Sequence, residues 1–248
     1  MKASNENFRV YHTHLNPNQK LSIPALAGFL QEAAWVNVKE IGVPTSMLLK
    51  QNIAWVLTRM KIDIHNEAQH RDEVTVETWP SGSDKYYFYR DFRVYCKDKM
   101  IASVTSNWIL INLTSRQLTP VPEFLSDLTF TNNAIPLERA KSKIHVPNSF
   151  ENSLDIQVNW HHLDINQHTN NSFYFQWVLD TLPIKIYNKL SLTQIDLIFK
   201  AESKLEEKLT AIAEEKEGKS FLHQIKNESG KEIVRAKTSW KKKESNPV

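Results

Sequence analysis

The chain has 248 residues, of which 24% are charged and 41% are hydrophobic, and its formal net charge is +3. A chain of this length can form one large or two ordinary domains, and its balanced composition excludes a disordered or fibrous protein. The small net charge and the isoelectric point near 8.8 permit an acidic partner. A nucleic-acid-binding protein would carry a larger and more clustered positive charge.

The compartment is indicated by cysteine content and apolar patterning. Cys96 is the single cysteine, which excludes an intramolecular disulfide and is typical of a reducing compartment. No apolar run reaches the roughly 18 residues that a membrane-spanning helix needs, so we expect no membrane span. The segment MKASNENFRVYHTH has no apolar core, and no signal or transit peptide is evident in it. We therefore expect a cytoplasmic protein.

The first half of the chain predicts a strand, a polar loop, a helix and then four strands. The opening strand is predicted over residues 8–14. Spacings of three and four then predict a helix from a mostly apolar stripe, formed by Leu26, Leu30, Ala33, Asn37 and Ile41. Pro24 suits the first turn of this helix, and Gly42 with Pro44 ends it. Alternating, β-branched and aromatic residues predict strands at 55–64, 72–80, 85–96 and 99–112.

A long crossover follows the first half. From about residue 113 to residue 150 the chain has little regular pattern and contains Pro120, Pro122, Pro136 and Pro147. Such a segment predicts a connection over the surface. We therefore expect a first domain at residues 1–130, a linker at 131–150 and a second domain at 151–248.

The second half repeats the order of the first. A strand is predicted at 156–162, and an aromatic helix is indicated by Tyr174, Trp177, Val178 and Thr181. Pro183 ends this helix, and four weaker strand patterns follow it. One helix wrapped by a curved antiparallel sheet is the hotdog arrangement. We therefore predict an α+β protein with a tandem, or double, hotdog fold.

Residues 156–180 repeat an earlier segment without gaps, at an offset of 162 − 14 = 148. The identical pairs are Val10 and Val158, His14 and His162, Leu15 and Leu163, Asn18 and Asn166, and Gln19 and Gln167. At the same offset Asp164 matches Asn16, and His168 matches Lys20. An acid and a base therefore exist in only one half, which is typical of a one-site enzyme built on a doubled fold.

Three polar side chains of the second copy have the types that acyl transfer to water needs. Asp164, Asn166 and His168 share one parity, and in an extended strand Asp164 would lie roughly 13 Å from His168, at about 3.3 Å per residue. They can cooperate only if the chain turns between them, and Asn166 with the residue after it is a favourable place. The predicted helix start at Asn170 and Asn171 adds backbone N–H groups that can stabilise an oxyanion.

Two other interpretations of this cluster stay open on the sequence alone. Polar residues before a helix are often only caps, although the first copy builds the same helix without the acid and the base. A metal site formed by His161, Asp164 and His168 is the second interpretation, but no HExxH or cysteine-based pattern supports it. We otherwise interpret His161 and His162 as packed strand residues.

The longest motifs resemble a known family. The string LDINQHTNN, followed by an aromatic helix that ends in WVLD, resembles the second-domain motif of the acyl-[acyl carrier protein] (acyl-ACP) thioesterases of plants and bacteria. Other similar segments are NIAWVLTRMKIDI, VETWPSG, the Arg90 and Asp91 pair, VTSNWILINLTSRQLTPVP and IDLIFKAES. The resemblance extends from Phe8 to Trp240. It implies a tandem hotdog hydrolase of fatty acid biosynthesis and lipid metabolism, which releases free fatty acid and holo-ACP with no cofactor and no metal.

The resemblance also implies roles for individual residues. Asp164, Asn166 and His168 match the family's Asp, Asn and His, and Glu202 falls on its downstream Glu. The next family position is often a cysteine, once interpreted as a papain-like nucleophile, and here it is Ser203. Because the single cysteine matches no motif, we expect direct attack by water. His168, with Asp164 or Glu202, would take the proton from water, and Asn166 would orient the water or the thioester carbonyl.

Partners are predicted from charge and aromatic content. Acyl carrier protein is acidic, and the candidate docking residues are Arg139, Lys141, Lys143, Lys200 and Lys204. The first module, whose own site is degenerate, has aromatic residues for an acyl slot, namely Trp55, Trp79, Tyr86, Phe88 and Trp108, and Met60 is predicted to line it. Two fused hotdogs already supply the pairing that single ones obtain by dimerising, so we expect a monomer or a homodimer.

Other functions stay compatible with the sequence. A hotdog thioesterase that acts on acyl-CoA differs in its preference for the carrier. A non-catalytic hotdog that binds acyl groups is disfavoured, because the acid and the base are retained in one copy. A hydratase or dehydratase of the same fold also uses His with Asp or Glu, and only the length of the family match argues against it.

Overall fold

The computed structural model describes residues 3–126, 137–150 and 152–243. The chain divides into two compact units, residues 1–140 and 141–248. The division falls inside the segment 131–150 that the sequence predicts as a linker. Residues 131–136 of that segment, including Pro136, lie outside the described residues. The exact domain bounds stay a prediction.

The first unit is an antiparallel sheet packed against one long helix. Its elements are β1 (Ser4–Arg9), α1 (Ile23–Glu40), α2 (Thr45–Lys50), β2 (Ile53–Ile64), β3 (Glu73–Ser83), β4 (Tyr87–Cys96), β5 (Lys99–Asn112), β6 (Leu118–Thr119) and α3 (Glu123–Ser126). The strands are hydrogen-bonded in the order β1-β3-β4-β5-β2, β6 pairs with β5, and these pairs are antiparallel. Helix α1 packs against β1 and β3.

The second unit has the same order of elements. They are β7 (Asn152–Gln157), α4 (Asn171–Asp180), α5 (Ile184–Lys189), β8 (Leu190–Phe199), β9 (Lys208–Lys216), β10 (Ser220–Asn227) and β11 (Glu232–Lys242). Its antiparallel strands follow the order β7-β9-β10-β11-β8, which is the order of the first unit with each strand replaced by its repeat. Helix α4 packs against β9 and β10. The prediction of two α+β hotdog modules in tandem is confirmed.

The two helices begin at side-chain caps and bury apolar faces. The Ser22 hydroxyl accepts the N–H of Ala25 at 3.3 Å and starts α1, whose predicted stripe is buried at Leu26, Leu30, Ala33 and Asn37. Asn170 caps α4, in which Tyr174, Phe175, Trp177 and Val178 are buried, so that this helix is covered on more than one side. Along the described parts of the chain, no helix is both long and apolar enough to cross a membrane.

The opening strands of both units begin and end earlier than the predicted ranges 8–14 and 156–162. Strand β1 ends at Arg9 and β7 ends at Gln157, and each is followed by a short 3-10 turn, at His12–His14 and Trp160–His162. In the first turn, Nδ1 of His14 accepts the N–H of Tyr11 at 3.2 Å. The N–H of Tyr11 is therefore bonded within the turn and not to a neighbouring strand.

His162 does the same in the second unit. Its Nδ1 accepts the N–H of Asn159 at 3.0 Å, and its ring packs against Phe173 and Trp177. Burial lowers the pKa of His162 below its usual value. The interpretation of His161 and His162 as packed strand residues was therefore wrong, because both lie in the 3-10 turn and His161 is exposed. The repeated histidines His14 and His162 are explained as caps of a turn that both copies form.

Candidate active site

The segment between Asp164 and His168 forms a tight turn, which the sequence predicts at Asn166. The backbone N–H of Asp164 donates to the His168 carbonyl at 2.8 Å, and Gln167 closes the turn with a φ of 62°. The Asp164 carboxylate stabilises the turn, because its Oδ1 accepts the N–H of Asn166 at 2.8 Å and that of His168 at 3.3 Å. We call residues 163–169 the site loop.

The fold brings Glu202 beside the end of the site loop. Leu163 pairs with Thr169 as an isolated antiparallel bridge, and the N–H of Thr169 donates to the carbonyl of Ser203 at 3.0 Å. His168 Nε2 lies 3.4 Å from Glu202 Oε2, and these side chains are 28% and 30% exposed. A partly exposed imidazole beside a carboxylate can accept a proton from water and be stabilised once it is charged.

Asn166 lies at the exposed tip of the site loop. Its Nδ2 is 3.4 Å from Asp164 Oδ2, and the neighbouring Ile165 is 96% exposed. An exposed side-chain amide offers both a donor and an acceptor to a substrate carbonyl or a water molecule. The turn therefore gathers the Asp, Asn and His predicted from the sequence, together with the carboxylate of Glu202.

The start of α4 offers fewer oxyanion donors than the sequence predicts. The Asn170 side chain accepts the N–H and the hydroxyl of Ser172, both at 2.9 Å, and the N–H of Phe173 donates to the Asn170 carbonyl at 3.0 Å. These donors are consumed by the cap. The N–H of Asn171, at the first helical position, is the backbone donor that the cap does not use.

Neither Ser203 nor Cys96 is placed as a nucleophile. Ser203 is 0% exposed, and its hydroxyl contacts the hydroxyls of Thr169 and Tyr174 at 2.8 Å each rather than an imidazole. Cys96 ends β4 of the first unit, where burial raises the pKa of its thiol. A buried thiol with a raised pKa is poorly reactive.

The alternative of a metal site is not supported by the geometry. Among the described residues, no three His, Cys, Asp or Glu side chains are gathered closely enough to hold a metal ion, and this includes His161, Asp164 and His168.

A groove of about 420 Å³ in the second unit, lined by residues such as His145, Lys216 and Lys237, contains none of the predicted site residues. We assign the candidate site to Asp164, Asn166, His168 and Glu202, which we call the polar cluster, because it combines an imidazole, an amide and two carboxylates.

The first unit has the same loop without the same chemistry. Asn16 Oδ1 accepts the N–H of Asn18 at 2.9 Å and that of Lys20 at 3.2 Å, and Gln19 has a φ of 60°. Leu15 pairs with Leu21 as Leu163 does with Thr169. We call residues 15–21 the matching loop. A neutral amide therefore shapes this turn as well as a carboxylate does, so shape alone does not require the charge of Asp164.

Glu202 also has a counterpart, which the sequence analysis missed. The N–H of Leu21 donates to the carbonyl of Ala68 at 2.9 Å, as Thr169 does to Ser203, so Glu67 corresponds to Glu202 at an offset of 202 − 67 = 135. Lys20 Nζ lies 3.0 Å from Glu67 Oε2. The first unit thus holds a lysine–glutamate ion pair in the place of the histidine–glutamate pair.

The Arg90 and Asp91 pair is buried in the first unit. Arg90 donates to Asn37 Oδ1 at 2.7 Å and to Thr78 Oγ1 at 3.1 Å, and burial lowers its pKa to about 9. Asp91 accepts the N–H of Leu137 at 2.9 Å, and burial raises its pKa. The pair belongs to the polar core of this unit.

The candidate docking residues differ in their surroundings. Arg139 donates to the carbonyl of Ser81 at 3.0 Å and lies 3.7 Å from the ring centroid of Tyr89, so its guanidinium is engaged within the first unit. The remaining candidates, which are Lys141, Lys143, Lys200 and Lys204, are exposed.

The aromatic residues predicted for an acyl slot belong largely to the core of the first unit. Trp79 is fully buried, and Met60 is 4% exposed. Phe88 lies in an apolar cluster against which Trp55 and Trp108 pack. Tyr86 is half-buried beside Lys85.

The fold and the strand order of the two units define a double-hotdog protein, and the second unit pairs a histidine with a glutamate where the first pairs a lysine with one. Residues 2–128 match the acyl-ACP thioesterase N-terminal domain, and residues 146–242 match the acyl-ACP thioesterase C-terminal domain. These matches cover most of the chain. The chain therefore belongs to the acyl-ACP thioesterase family.

Individual relatives agree with this assignment. The chain is 28% identical to the chloroplastic acyl-[acyl-carrier-protein] hydrolase FATB2 of Cuphea viscosissima and 26% identical to the chloroplastic palmitoyl-acyl carrier protein thioesterase of Gossypium hirsutum. Each alignment covers 96% of this chain but only 62% and 63% of the relative, so the chain spans less than two thirds of the length of these relatives.

Solved structures confirm the fold. The acyl-ACP thioesterase of Bacteroides thetaiotaomicron superposes with a TM-score of 0.88 at 24% identity, over 96% of this chain and 98% of that one. The 12:0-ACP thioesterase of Umbellularia californica superposes with a TM-score of 0.87 at 24% identity, over 97% of this chain and 98% of that one.

Proposed function

We propose that the protein hydrolyses the thioester bond of acyl-ACP and releases free fatty acid and holo-ACP in fatty acid biosynthesis. Family membership supports this proposal, and the polar cluster of the second unit carries it. His168 beside Glu202, on a turn shaped by Asp164, has the groups that thioester hydrolysis needs. The first unit has the same turn with a lysine in the place of His168, so the fold does not require the histidine.

In the proposed mechanism, His168 is the general base and Glu202 is its partner. An imidazole that donates Nε2–H to Glu202 keeps the lone pair of Nδ1 for the proton of a water molecule. The carboxylate then stabilises the imidazolium as the water oxygen attacks the thioester carbon. General-base catalysis of this kind contributes about 10²–10⁴-fold in rate.

Asn166 and the start of α4 act on the carbonyl oxygen. As the C–O bond forms, negative charge develops on that oxygen, and the exposed amide of Asn166 and the N–H of Asn171 are donors that can stabilise it. The tetrahedral intermediate collapses by breaking the carbon–sulfur bond. The carrier thiolate leaves and takes the proton from His168, so atoms and charges balance.

The carrier is proposed to dock beside the site. Lys200 and Lys204 are exposed and flank Glu202 in the chain, so they place positive charge next to the cluster. An acidic carrier protein would be oriented by these two lysines more than it would be held by them.

The acyl chain is proposed to enter the apolar interior of the first unit, with Met60 as one lining residue. Met60→Trp should then shorten the preferred acyl chain, and an unchanged preference would contradict this assignment.

The decisive experiment measures free-thiol release from a panel of acyl-ACPs and matching acyl-CoAs with eight to eighteen acyl carbons. Fast release from acyl-ACP with little release from acyl-CoA supports the proposal and gives the chain length. Equal or faster release from acyl-CoA would replace it with acyl-CoA hydrolysis. Binding without release would indicate a non-catalytic acyl-binding protein.

Compartment and assembly are also proposals. The lone, buried Cys96 suits a reducing compartment, and we infer cytoplasmic residence, although the curated plant relatives are named as chloroplastic. We infer a monomer or a homodimer. Fractionation of cells that express the tagged protein tests the first inference, and sedimentation of the purified protein tests the second.

A further inference from the structure

Behind the site loop, three hydroxyl groups form a buried chain of hydrogen bonds. Ser203 Oγ lies 2.8 Å from Thr169 Oγ1 and 2.8 Å from the Tyr174 hydroxyl. The N–H of Ser203 donates to the Tyr174 hydroxyl at 3.1 Å, and Thr169 Oγ1 donates to the Ser203 carbonyl at 3.2 Å. All three residues are buried.

One arrangement of the hydroxyl hydrogens satisfies every hydrogen bond in this chain. In it, the hydroxyl hydrogen of Thr169 goes to the Ser203 carbonyl, which only accepts, and Ser203 Oγ donates to Thr169. The hydroxyl of Tyr174 then donates to Ser203 Oγ. Each hydrogen has one acceptor, and the chain begins and ends on the backbone of Ser203. Burial raises the pKa of Tyr174, which keeps its hydroxyl neutral.

This network clamps the two segments that carry the acid and the base. Thr169 directly follows His168, and Ser203 directly follows Glu202. The network and the N–H bond from Thr169 to the Ser203 carbonyl fix these backbones to each other. Through its hydroxyl, Tyr174 links the first turn of α4 to Ser203. His168 Nε2 and Glu202 Oε2, which lie 3.4 Å apart, are carried by these two segments.

The first unit shows that the fold does not need the network. At the corresponding positions it has Leu21, Leu26 and Ala68, which carry no hydroxyl. The matching loop nevertheless keeps its turn and its backbone bond to residue 68. At these three positions, hydroxyl groups are therefore present only in the unit that has a histidine at the position of His168.

We propose that Thr169, Tyr174 and Ser203 are positioning residues, which hold His168 against Glu202 for general-base catalysis. This inference rests on the proposed function, since it assigns the support of the same site. It also gives Ser203 a role that does not require it to attack the substrate.

The test removes single hydroxyls without changing the shape of the site. Tyr174→Phe, Ser203→Ala and Thr169→Val should each lower kcat about 10- to 100-fold, because a small displacement of the base is costly. KM should stay near that of the wild type, because none of these side chains is placed to contact the substrate. Thr169→Ser keeps the hydroxyl and should restore kcat, which a loss of packing alone would not allow.

The matched control is Tyr187→Phe. The Tyr187 hydroxyl is partly buried in the same unit and donates to the Leu179 carbonyl at 2.6 Å, away from the network. Its removal should lower stability without lowering kcat of the folded protein. Equal kcat losses for Tyr187→Phe and Tyr174→Phe, or wild-type kcat in all three network variants, would overturn the positioning role.

A second readout does not depend on activity. The imidazole nitrogen signals of His168, recorded by NMR, should change in Tyr174→Phe and stay unchanged in Tyr187→Phe. Unchanged signals in both variants would overturn the proposal. A wild-type protein that hydrolyses no thioester would contradict the proposed function instead, and the NMR result would still decide whether the network positions His168.

Discussion

The site loop and the matching loop have one shape and two chemistries. Both reverse the chain with a glutamine at positive φ, and both use a side-chain oxygen of the Asp164 or Asn16 position to accept two backbone N–H groups. They differ in the residue that faces the glutamate, which is His168 in one and Lys20 in the other. The difference shows which groups build the turn and which are added for reaction.

The strongest test gives the site loop the two residues that the matching loop has at the positions of Asp164 and His168. Asp164→Asn with His168→Lys reproduces the first unit at these two positions, so the turn should form while general-base catalysis is lost. We expect kcat to fall about 10²–10⁴-fold. The melting temperature should change by no more than the roughly 2–4 °C that about 1 kcal/mol corresponds to in a chain of this size. Wild-type turnover in the double variant would remove His168 and Asp164 from the mechanism.

The glutamates give a matched pair of substitutions. Glu202→Gln removes the charge beside His168, and we expect kcat to fall about 10²-fold, because the imidazolium loses its partner. Glu67→Gln removes the charge beside Lys20 and should leave kcat unchanged. Steady-state rates of the two variants on the same acyl-ACP decide this, and equal effects would mean that the two loops do not differ in function.

The two units also bury different ionisable groups, which predicts an acid sensitivity for the second. His223 contacts Thr181 and Thr238 inside that unit, and burial lowers its pKa from 6.5 to about 3. Between these values the unfolded chain binds a proton that the folded chain does not, so stability falls as pH falls. His223 should contribute up to about 1.4 kcal/mol per pH unit in this window.

Urea unfolding between pH 7 and pH 4 measures this contribution. His223→Gln should flatten the loss of stability, because glutamine does not titrate. The control is His161→Gln, which removes an exposed histidine from the same unit. A slope that is the same in all three proteins would show that His223 does not govern acid stability.

The smallest effect is expected for carrier docking. Lys200→Gln with Lys204→Gln should raise KM for acyl-ACP a few-fold at low salt and leave kcat unchanged, because exposed charges act on encounter and are screened by salt. The exposed pair Lys39→Gln with Lys50→Gln in the first unit is the control. An unchanged KM at low salt would place docking elsewhere.

Much of this architecture could be predicted from the repeat. The offset of 148 aligns the loops and the helix starts, and spacings of three and four mark the buried face of α1 at Leu26 and Leu30. The turn after Asp164 was predictable from residue type. The strand ends were not, because a strand pattern does not show that His14 or His162 will accept a nearby N–H.

The partners of the site were harder to predict, because they depend on contacts between distant segments. The correspondence of Glu67 with Glu202 is not visible in the sequence, because the offset between the units changes from 148 at the loop to 135 after the helix. One alignment without gaps therefore does not cover both regions. The sequence indicates Ser203 only as an attacking group, because it stands where the family often has a cysteine. Its hydroxyl partners at Thr169 and Tyr174 are more than two dozen residues away in the chain and have no motif.

The amide of Asn16 has a consequence for the history of such chains. Since an amide and a carboxylate shape the turn equally, exchanging one for the other leaves folding intact and is exposed to selection only through activity. After duplication, one copy could drift in charge while the other was held by its reaction. For the same reason the matching loop is a suitable place to engineer a second site. Its backbone already has the shape that a second set of reactive side chains would need.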